Sequence, residues 1–311
     1  MSRGGRRAAK VVGMLCGLGL AALLLGDGVD TWDVRAHEVL VPIPRLPEGS
    51  EGLRIAVLSD LHVNPEQPEG FLAEAFARAQ DWGPDLIVLP GDFVALDPRY
   101  LQDVKELLAG LSAPLGVYAC LGNHDWIGGR GPQVTKVLEE AGVRVLADEA
   151  VELAGHPDCR LIGLDVHGPA GVDLDRALEG VGQDECTILL AHTPDIVPAA
   201  SQLAIDLVLS GHTHGGQVRL PLVGPLLVPS AFGPRFAAGL FDVDGTRLFV
   251  TRGVGSHPGT MRFRCAPEVA LLTLTRSDRA LPAGRWGVDL RTTVTEHRRF
   301  TNDLRRWIRA G

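Results

Sequence analysis

Short apolar runs that alternate with helical patterns constrain the fold of this chain more than any other feature of its sequence. Between the early runs, the apolar positions of Glu69–Trp82 and Pro98–Leu111 recur at helical spacing. Alternating strands and helices predict a largely parallel sheet covered by helices, which is an α/β fold. Six runs are apolar and short enough to be buried strands: Ile55–Ser59, Leu86–Pro90, Val117–Leu121, Cys159–Leu164, Thr187–Ala191 and Asp206–Ser210.

The later part of the chain predicts a second sheet with more antiparallel pairing. Phe236–Val243 and Leu248–Arg252 flank the turn residues Asp244 and Gly245, a pattern typical of a β-hairpin. Glu268–Thr275 has the pattern of a closing strand. The length of 311 residues would allow two domains, but we expect residues 34–276 to form one large domain.

Five of the apolar runs end in side chains that can bind a metal ion. Ligands gather at the carboxyl ends of the strands in open α/β sheets, so we expect these segments to meet at one edge. Their oxygen and imidazole donors, without a thiolate, suit divalent manganese, with iron and zinc as alternatives. The set is large enough for two ions, which together can clamp the attacking and leaving oxygens of a phosphoryl displacement. The candidate ligands are Asp60, His62, Asp92, Asn123, His192, His212 and His214.

The order of these motifs resembles the signature of the calcineurin-like metallophosphoesterases over about residues 50–276. The motifs are Asp60-x-His62, Gly91-Asp92, Gly122-Asn123-His124-Asp125, His192 and Gly211-His212-x-His214. The resemblance implies a four-layer αββα sandwich, in which two mixed sheets face each other and helices flank them. It also implies two metal sites that share Asp92, with Asp60, His62 and His214 completing one and Asn123, His192 and His212 the other.

His124 is the catalytic residue that this resemblance implies, since it would protonate the leaving oxygen or stabilise the charge on it. Many family members carry an aspartate three residues after the bridging aspartate, where it orients this histidine. The present chain has Ala95 at that position. Either Asp97 or Asp125 takes over the orienting role, or His124 acts mainly as a neutral or electrostatic contact.

A narrower resemblance concerns a bacterial membrane-associated branch of the family. It rests on the N-terminal apolar segment, on Val41-Pro42-Ile43-Pro44 and on residues 211–217. That branch includes phosphodiesterases exported by the twin-arginine route and pyrophosphatases acting on UDP-2,3-diacylglucosamine. We therefore expect a phosphodiesterase or pyrophosphatase that acts at a membrane on a lipid-linked or nucleotide-diphosphate substrate. The net charge of −8 argues against a nucleic-acid partner. The alternatives are a nuclease or cyclic-nucleotide phosphodiesterase, which the acidic body and the predicted anchor disfavour, and a non-catalytic metal-binding protein of the same fold.

Both ends of the chain are basic and predict contact with a membrane. In residues 1–33, arginines and a lysine precede the uncharged apolar segment 11–25, and aspartates follow it. This pattern is typical of an export signal or a short signal anchor, and we favour an uncleaved single-pass anchor in the cytoplasmic membrane. The positive-inside rule then places the catalytic domain outside the cytoplasm. Residues 277–311 predict a linker and a basic amphipathic helix, which either lies on the membrane or packs on the body.

Three further features bear on the site and on the chemistry of the chain. The apolar segment Leu220–Phe232 is either a lipid-facing wall beside the site or a loop buried against the second sheet. Arg252 and Arg262 are candidate contacts for a phosphate group. The five cysteines are widely scattered and predict neither a disulfide framework nor a zinc knuckle.

Overall fold

A computed structural model describes residues 29–168 and 171–278 of the chain. The predicted apolar segment 11–25 and the predicted C-terminal helix lie outside these residues. The strands, in chain order, are β1 (Arg35–Ile43), β2 (Arg54–Val57), β3 (Leu86–Pro90), β4 (Val117–Cys120), β5 (Arg144–Val145), β6 (Glu149–Leu153), β7 (His156–Gly163), β8 (Cys186–Leu190), β9 (Leu207–Ser210), β10 (Arg219–Leu220), β11 (Gly224–Pro225), β12 (Gly239–Val243), β13 (Thr246–Val250) and β14 (Glu268–Arg276).

The helices are short, and several are single turns. The α-helices are Phe71–Asp81, Leu101–Leu108, Asn123–Trp126, Gly131–Glu140, Leu174–Ala177 and Val197–Gln202. The 3-10 helices are Glu48–Ser50, Pro98–Tyr100, Ile127–Gly129, Pro194–Ile196, His214–Gly216 and Gly233–Phe236. Within 29–168 and 171–278, none of the helices has the length and apolar character needed to cross a membrane.

The strands form two mixed sheets of six strands each and a separate two-stranded hairpin, β10–β11. The first sheet has the order β1-β14-β2-β3-β4-β5, and its pairs are parallel except for β14 with β2. The second has the order β12-β13-β9-β8-β7-β6, with antiparallel pairs at both edges and parallel pairs between them. The expectation that the second sheet contains more antiparallel pairing is therefore confirmed. The closing strand Glu268–Thr275, expected in that second sheet, is instead β14 of the first sheet, where it lies between β1 and β2.

Alternate side chains of each strand point to opposite faces of its sheet, and this alternation builds three hydrophobic layers. Ile55 of β2 joins Ile188 of β8 in the layer between the two sheets. The next residue, Ala56, faces the other way and packs with Phe76 of a helix on the first sheet. A third layer joins the outer face of the second sheet to the helix Val197–Gln202. These three layers are those of the predicted αββα sandwich, which is thereby confirmed.

Every predicted strand is present, with bounds shifted by at most three residues. Phe236 was expected in a strand but lies in the 3-10 helix Gly233–Phe236, where Pro234 suits a first helical turn and has no amide hydrogen for a ladder. The sequence did not predict β1, because only its last three residues are buried and it lacks a continuous apolar run. The strands β5, β6, β10 and β11 and the helix Gly131–Glu140 were also not predicted.

Candidate metal centre

The predicted metal ligands lie just beyond the carboxyl ends of five neighbouring strands. They are Asp60 and His62 after β2, Asp92 after β3, Asn123 after β4, His192 after β8, and His212 and His214 after β9. Within each sheet, backbone hydrogen bonds hold adjacent segments together, since Asp60 N donates to Gly91 O at 3.0 Å and Gly211 N to His192 O at 3.0 Å. The two sheets meet where His192 Nδ1 lies 2.6 Å from the carbonyl oxygen of Pro90. All seven residues are thereby brought to one edge of the sandwich.

Most of these ligands have a left-handed backbone that residues other than glycine rarely adopt. Each such residue costs on the order of 1–3 kcal/mol, so the surrounding structure must hold it in place. The φ angles are +54° at Asp60, +44° at His62, +60° at Asp92, +68° at His212 and +49° at His214. Strained backbone of this kind clusters at functional sites, and here it turns the side chains towards one another.

Asp92 stands between the histidines of the two sheets. Its Oδ2 lies 3.4 Å from His62 Nε2 and 3.2 Å from His192 Nε2. Its Oδ1 accepts a hydrogen bond of 2.8 Å from the backbone amide of His124. Gly122 makes room for this carboxylate, because a Cβ atom at position 122 would lie 2.2 Å from Asp92 Oδ1. Asp92 thus lies between histidines of both sheets and would be shared by the two metal sites.

The first group of donors comprises Asp60, His62 and His214, whose candidate ligand atoms all lie within 4.8 Å of one another. The Nε2 atoms of His62 and His214 are 3.1 Å apart, and His214 Nε2 is 3.5 Å from Asp60 Oδ1. Imidazole nitrogens and a carboxylate that converge in this way are a donor set suited to a divalent transition metal. The group therefore fits the first of the two ions that the sequence predicts.

A second group is formed by Asp92, His192 and His212, again with ligand atoms within 4.8 Å of one another. His192 Nε2 lies 3.1 Å from His212 Nδ1 and 3.1 Å from Asn123 Oδ1. The amide oxygen of Asn123 adds a neutral donor to the carboxylate and the two imidazoles. This mixed oxygen and nitrogen set fits a second divalent ion next to the first.

Burial and charge set the protonation states of the donor groups. Burial lowers the pKa of His62 to about 3 and the pKa of His212 to about 3, so both rings are neutral and have a nitrogen lone pair. Burial would raise the pKa of Asp92, but the neighbouring His192, His62 and His124 together outweigh it and hold that pKa well below its usual range. Burial likewise opposes the charge on His192, and Asp92 raises the pKa of this ring to about 9. A metal ion held by His192 would need this ring in its unprotonated form, so its binding would release a proton.

His124, the predicted catalytic residue, is oriented by a backbone carbonyl group. Its Nδ1 lies 3.1 Å from the carbonyl oxygen of Ala95, and because a carbonyl oxygen only accepts, Nδ1 carries the proton. Asp97 instead accepts hydrogen bonds from Arg99, at 3.0 Å from N and 2.8 Å from Nε. Asp125 accepts hydrogen bonds from three backbone amides around the bridging aspartate. Of the two alternatives that the sequence left open, the one in which Asp97 or Asp125 orients the ring is therefore wrong, and the carbonyl of residue 95 holds the ring.

His257 borders the first donor group, although the sequence did not single it out. Its ring centroid lies 4.9 Å from that of His124 and 5.7 Å from that of His62. The residue does not directly follow an apolar run, so no local pattern marked it as part of the site.

His167 borders the second donor group and was also missed. Its ring centroid lies 5.7 Å from that of His192 and 6.1 Å from that of His212. Its Nε2 atom is buried and has no hydrogen-bond partner in the part of the chain that the structure describes. Burial lowers the pKa of His167 to about 4, so its ring is neutral at pH 7. Because His167 follows β7, the strand-end pattern that identified the ligands also applies to it.

Arg262, a predicted phosphate contact, lies beneath the site instead of facing it. It is fully buried, and its Nη2 lies 3.4 Å from His214 Nδ1 and donates to the carbonyl oxygens of Arg252 and Gly253 at 2.9 and 3.1 Å. Its Nε donates to Ser256 Oγ at 3.0 Å. The guanidinium group therefore supports the loop around His214 and is closed off from a substrate. Arg252 remains a predicted phosphate contact.

Comparisons with known proteins agree with this geometry. The Metallophos family model, described as calcineurin-like phosphoesterase, matches residues 53–216. The uncharacterized metallophosphoesterase YkuE of Bacillus subtilis is 31% identical over 84% of this chain and 95% of its own length. Phosphodiesterase YaeI of Escherichia coli is 33% identical over 71% of this chain and 82% of its own length. The UDP-2,3-diacylglucosamine pyrophosphatase LpxG of Chlamydia muridarum is 26% identical over 71% of this chain and 83% of its own length.

The family match covers the strands that carry all seven candidate ligands. The two donor groups around Asp92 also agree with the dimetal centre that the family uses. The chain is therefore a phosphoester hydrolase, and it belongs to the calcineurin-like phosphoesterase family.

Proposed function

We propose that this phosphoester hydrolase is a phosphodiesterase or pyrophosphatase that acts at a membrane on a lipid-linked or nucleotide-diphosphate substrate. The observation that carries the catalytic part is the position of Asp92 Oδ2, between His62 Nε2 at 3.4 Å and His192 Nε2 at 3.2 Å. Relatives named as a phosphodiesterase and as a UDP-2,3-diacylglucosamine pyrophosphatase support the choice of substrate classes. The predicted anchor at residues 11–25 supports action at a membrane.

The two donor groups would each hold one divalent ion, and we favour manganese over iron and zinc. Such ions supply Lewis acidity, which polarises a phosphoryl oxygen and makes water a nucleophile at neutral pH. Asp92 would belong to both metal sites. One ion would be completed by Asp60, His62 and His214, and the other by Asn123, His192 and His212.

His124 would assist the departure of the leaving group. Nδ1–H donates to the carbonyl of Ala95, so it is Nε2 of the doubly protonated ring that would deliver a proton to the leaving oxygen, which leaves the ring neutral with its proton on Nδ1. A neutral carbonyl stabilises a doubly protonated ring less than a carboxylate would. We therefore expect weaker acid assistance from His124 than from a histidine paired with an aspartate, and hence a preference for esters and anhydrides with good leaving groups.

We also propose that the body lies outside the cytoplasm, held by a single-pass anchor. The support is the arrangement of basic residues before segment 11–25 and acidic residues after it. A UDP-linked lipid would be met at the cytoplasmic face. An external body would therefore disfavour UDP-linked lipids as substrates and leave the other lipid-linked phosphoesters. Protease treatment of spheroplasts tests the orientation, since an external body is degraded and a cytoplasmic one is protected.

The decisive experiment compares substrates with one metal-loaded preparation of the full chain. We expect hydrolysis of bis(p-nitrophenyl) phosphate, and hydrolysis of diphosphate-linked lipids in preference to cyclic nucleotides and single-stranded DNA. The Asp92→Asn variant should lose all of these activities together with bound metal. Preference for DNA or a cyclic nucleotide would favour the nuclease or cyclic-nucleotide phosphodiesterase alternative. A folded, metal-loaded protein without any hydrolysis would leave the non-catalytic alternative.

A further inference from the structure

Residues 219–232, called the apolar hairpin below, expose large hydrophobic side chains beside the metal centre. The strands β10 and β11 pair antiparallel, and residues 221–223 form the turn between them. Leu222 at the tip is 99% exposed and Leu227 is 81% exposed, and Val223 and Leu226 are exposed as well. The segment is therefore not a loop buried against the second sheet. Contiguous apolar surface of this kind marks an interaction site.

The backbone at the tip adds a second observation. Leu222 has a φ of +64°, in the left-handed region that favours glycine or asparagine. A leucine is strained there and also exposes its whole side chain to water. Neither the strained backbone nor the exposed side chain stabilises the folded protein, so the tip is suited to contact with another molecule.

One end of the apolar hairpin is fixed to the turn that follows His214. Arg219 Nη1 donates to the carbonyl oxygen of Gly215 at 2.9 Å. Pro225 packs so closely on Gly216 that a Cβ atom at position 216 would lie 2.4 Å from Pro225 Cβ. A movement of the hairpin would therefore displace the segment that carries a ligand of the first donor group.

The other end is fixed to the segment that follows His192. Ser230 Oγ donates to Asp195 Oδ1 at 2.6 Å, and Ala231 N donates to Asp195 Oδ2 at 2.9 Å. Asp195 lies three residues after His192, a ligand of the second donor group. The apolar hairpin is thus held at both ends by segments of the metal centre, which sets the distance between its tip and the reacting atoms.

The charge around the apolar hairpin differs from that of the whole chain. The net charge of the chain is −8, yet residues 211–241 and 252–267 contain no aspartate or glutamate. A surface that combines apolar side chains with arginine and lacks acidic groups is attracted to anionic lipid headgroups. The basic residues of these two segments are Arg219, Arg235, Arg252, Arg262 and Arg264, of which Arg262 is buried.

The chain also enters the body next to the apolar hairpin. Phe263 forms a bridge with Val218, which precedes β10, and another with Val29, the first residue that the structure describes. Arg219 N donates to the carbonyl oxygen of Phe263 at 3.0 Å. Four peptide steps, which span at most about 14 Å, separate Val29 from Leu25, the end of the predicted anchor. A bilayer that holds the anchor is therefore close to this face of the body.

We infer that the apolar hairpin enters the headgroup region of an anionic phospholipid bilayer and holds the metal centre at the membrane surface. The inference rests on the proposed function, because it explains how the lipid-linked substrate proposed above reaches the metal centre. The substrate can then leave its acyl chains in the bilayer while its phosphate group reaches the donor groups.

The insertion itself can be tested with a fluorescent label on the full chain. The nitrobenzoxadiazole label is attached to the Leu222→Cys variant, with Leu40→Cys as the matched control because Leu40 is 68% exposed on the edge strand β1. Both carry Cys16→Ser, and the remaining cysteines, at 120, 159, 186 and 265, are buried. In vesicles of phosphatidylcholine and phosphatidylglycerol, we expect doxyl lipids to quench the label at position 222 several-fold more than the label at position 40.

Each other outcome of this labelling experiment overturns the inference. Equal quenching at the two positions would show that the apolar hairpin stays in water. A blue shift that grows with protein concentration and is insensitive to doxyl lipids would show that a second copy of the chain covers it. A blue shift in lipid-free detergent that is lost when segment 11–25 is removed would show that this segment covers it.

Turnover of two substrates separates this inference from the proposed function. The double variant Leu222→Ser/Leu227→Ser should hydrolyse soluble bis(p-nitrophenyl) phosphate like the unaltered chain. Its turnover of a diphosphate-linked lipid in vesicles should fall by about tenfold, since two leucines no longer enter the bilayer. Leu40→Ser should leave both rates unchanged. Equal rates of the double variant and the unaltered chain on the vesicle substrate would overturn the inference. If the unaltered chain were inactive on both substrates, the proposed function would be contradicted, and the quenching experiment would still test the insertion.

Discussion

The carbonyl oxygen of Ala95 lies 3.1 Å from Nδ1 of His124 and orients this ring from the main chain. A main-chain carbonyl can fix the direction of an imidazole ring, but it carries no net charge. A carboxylate in the same place would also stabilise the doubly protonated ring. The carbonyl of Ala95 therefore orients the His124 ring but adds no negative charge beside it.

Replacing Ala95 by aspartate should strengthen acid assistance by His124. A carboxylate beside Nδ1 favours the ring that has a proton to give, so esters with poor leaving groups gain most. We expect the ratio of kcat for an alkyl phosphodiester to kcat for a nitrophenyl phosphodiester to rise by about tenfold. Ala95→Asn is the matched control, as it has nearly the same size and no charge. A rise of the same size in both variants would contradict the role of charge.

Replacing His124 by glutamine should slow substrates with poor leaving groups by about 100-fold or more, and nitrophenyl esters far less. Its candidate ligand atom lies within 4.8 Å of those of His62 and Asp92, so His124 is also a possible metal ligand. Metal analysis of the purified variant decides between the two roles. Unchanged metal content with a selective loss of rate supports proton donation, whereas loss of metal would make His124 a ligand.

Replacing Gly122 by alanine should displace the bridging carboxylate, because the new Cβ atom would lie 2.2 Å from Asp92 Oδ1. We expect loss of bound metal and of activity, together with destabilisation by about 1–3 kcal/mol from the overpacking. Gly110→Ala is the control, since a Cβ atom at position 110 meets nothing within 4 Å. Metal content and thermal unfolding measure both effects. A metal-loaded, active Gly122→Ala protein would contradict the close approach.

Replacing His167 by phenylalanine should raise KM and leave the metal content unchanged. The Nε2 of this neutral ring lacks a partner in the described part of the chain, and the ring borders the second donor group, where its Nε2–H tautomer would donate to a phosphoryl oxygen. Loss of one such bond corresponds to about a tenfold rise in KM for a phosphodiester, with kcat little affected. An unchanged KM would show that His167 only fills space beside His192.

Removing the metal ions with a chelator should lower the melting temperature of the protein. Ions that bind only the folded state stabilise it, by about 2.7 kcal/mol when the free metal is a hundred times its dissociation constant. Addition of manganese should restore the higher melting temperature. The melting temperature of Asp92→Asn should respond to neither the chelator nor manganese. A melting temperature that is insensitive to both chelator and manganese would show that the donor groups hold no ion with useful affinity.

The candidate ligands could be found from the sequence because each one lies a few residues beyond the end of a buried strand. A short apolar run in the sequence predicts a buried strand. Parallel strands of one sheet have their carboxyl ends at a common edge. Asp60, Asp92 and His192 were therefore identified without knowledge of any contact. The same pattern applied to His167 after β7, where it was overlooked.

Other features of the site depend on contacts between segments that are distant in the chain. The carbonyl of Ala95 is close to His124 because β3 and β4 are neighbours in the first sheet, and any residue type could provide that carbonyl. Arg262 was expected to face a phosphate group but lies buried beneath His214. A sequence pattern shows that a side chain is charged, but the packing around it decides which way it points.

The sequence by itself determined the α/β class, the strands that lead into the site and the residue types of the metal centre, because periodicity and composition act locally along the chain. Only the tertiary structure decided the partner of His124, the position of His257 and the exposure of Leu222. Each of these depends on how layers and loops pack in three dimensions, where a few ångströms separate a contact from open water. Local sequence carries no record of such distances.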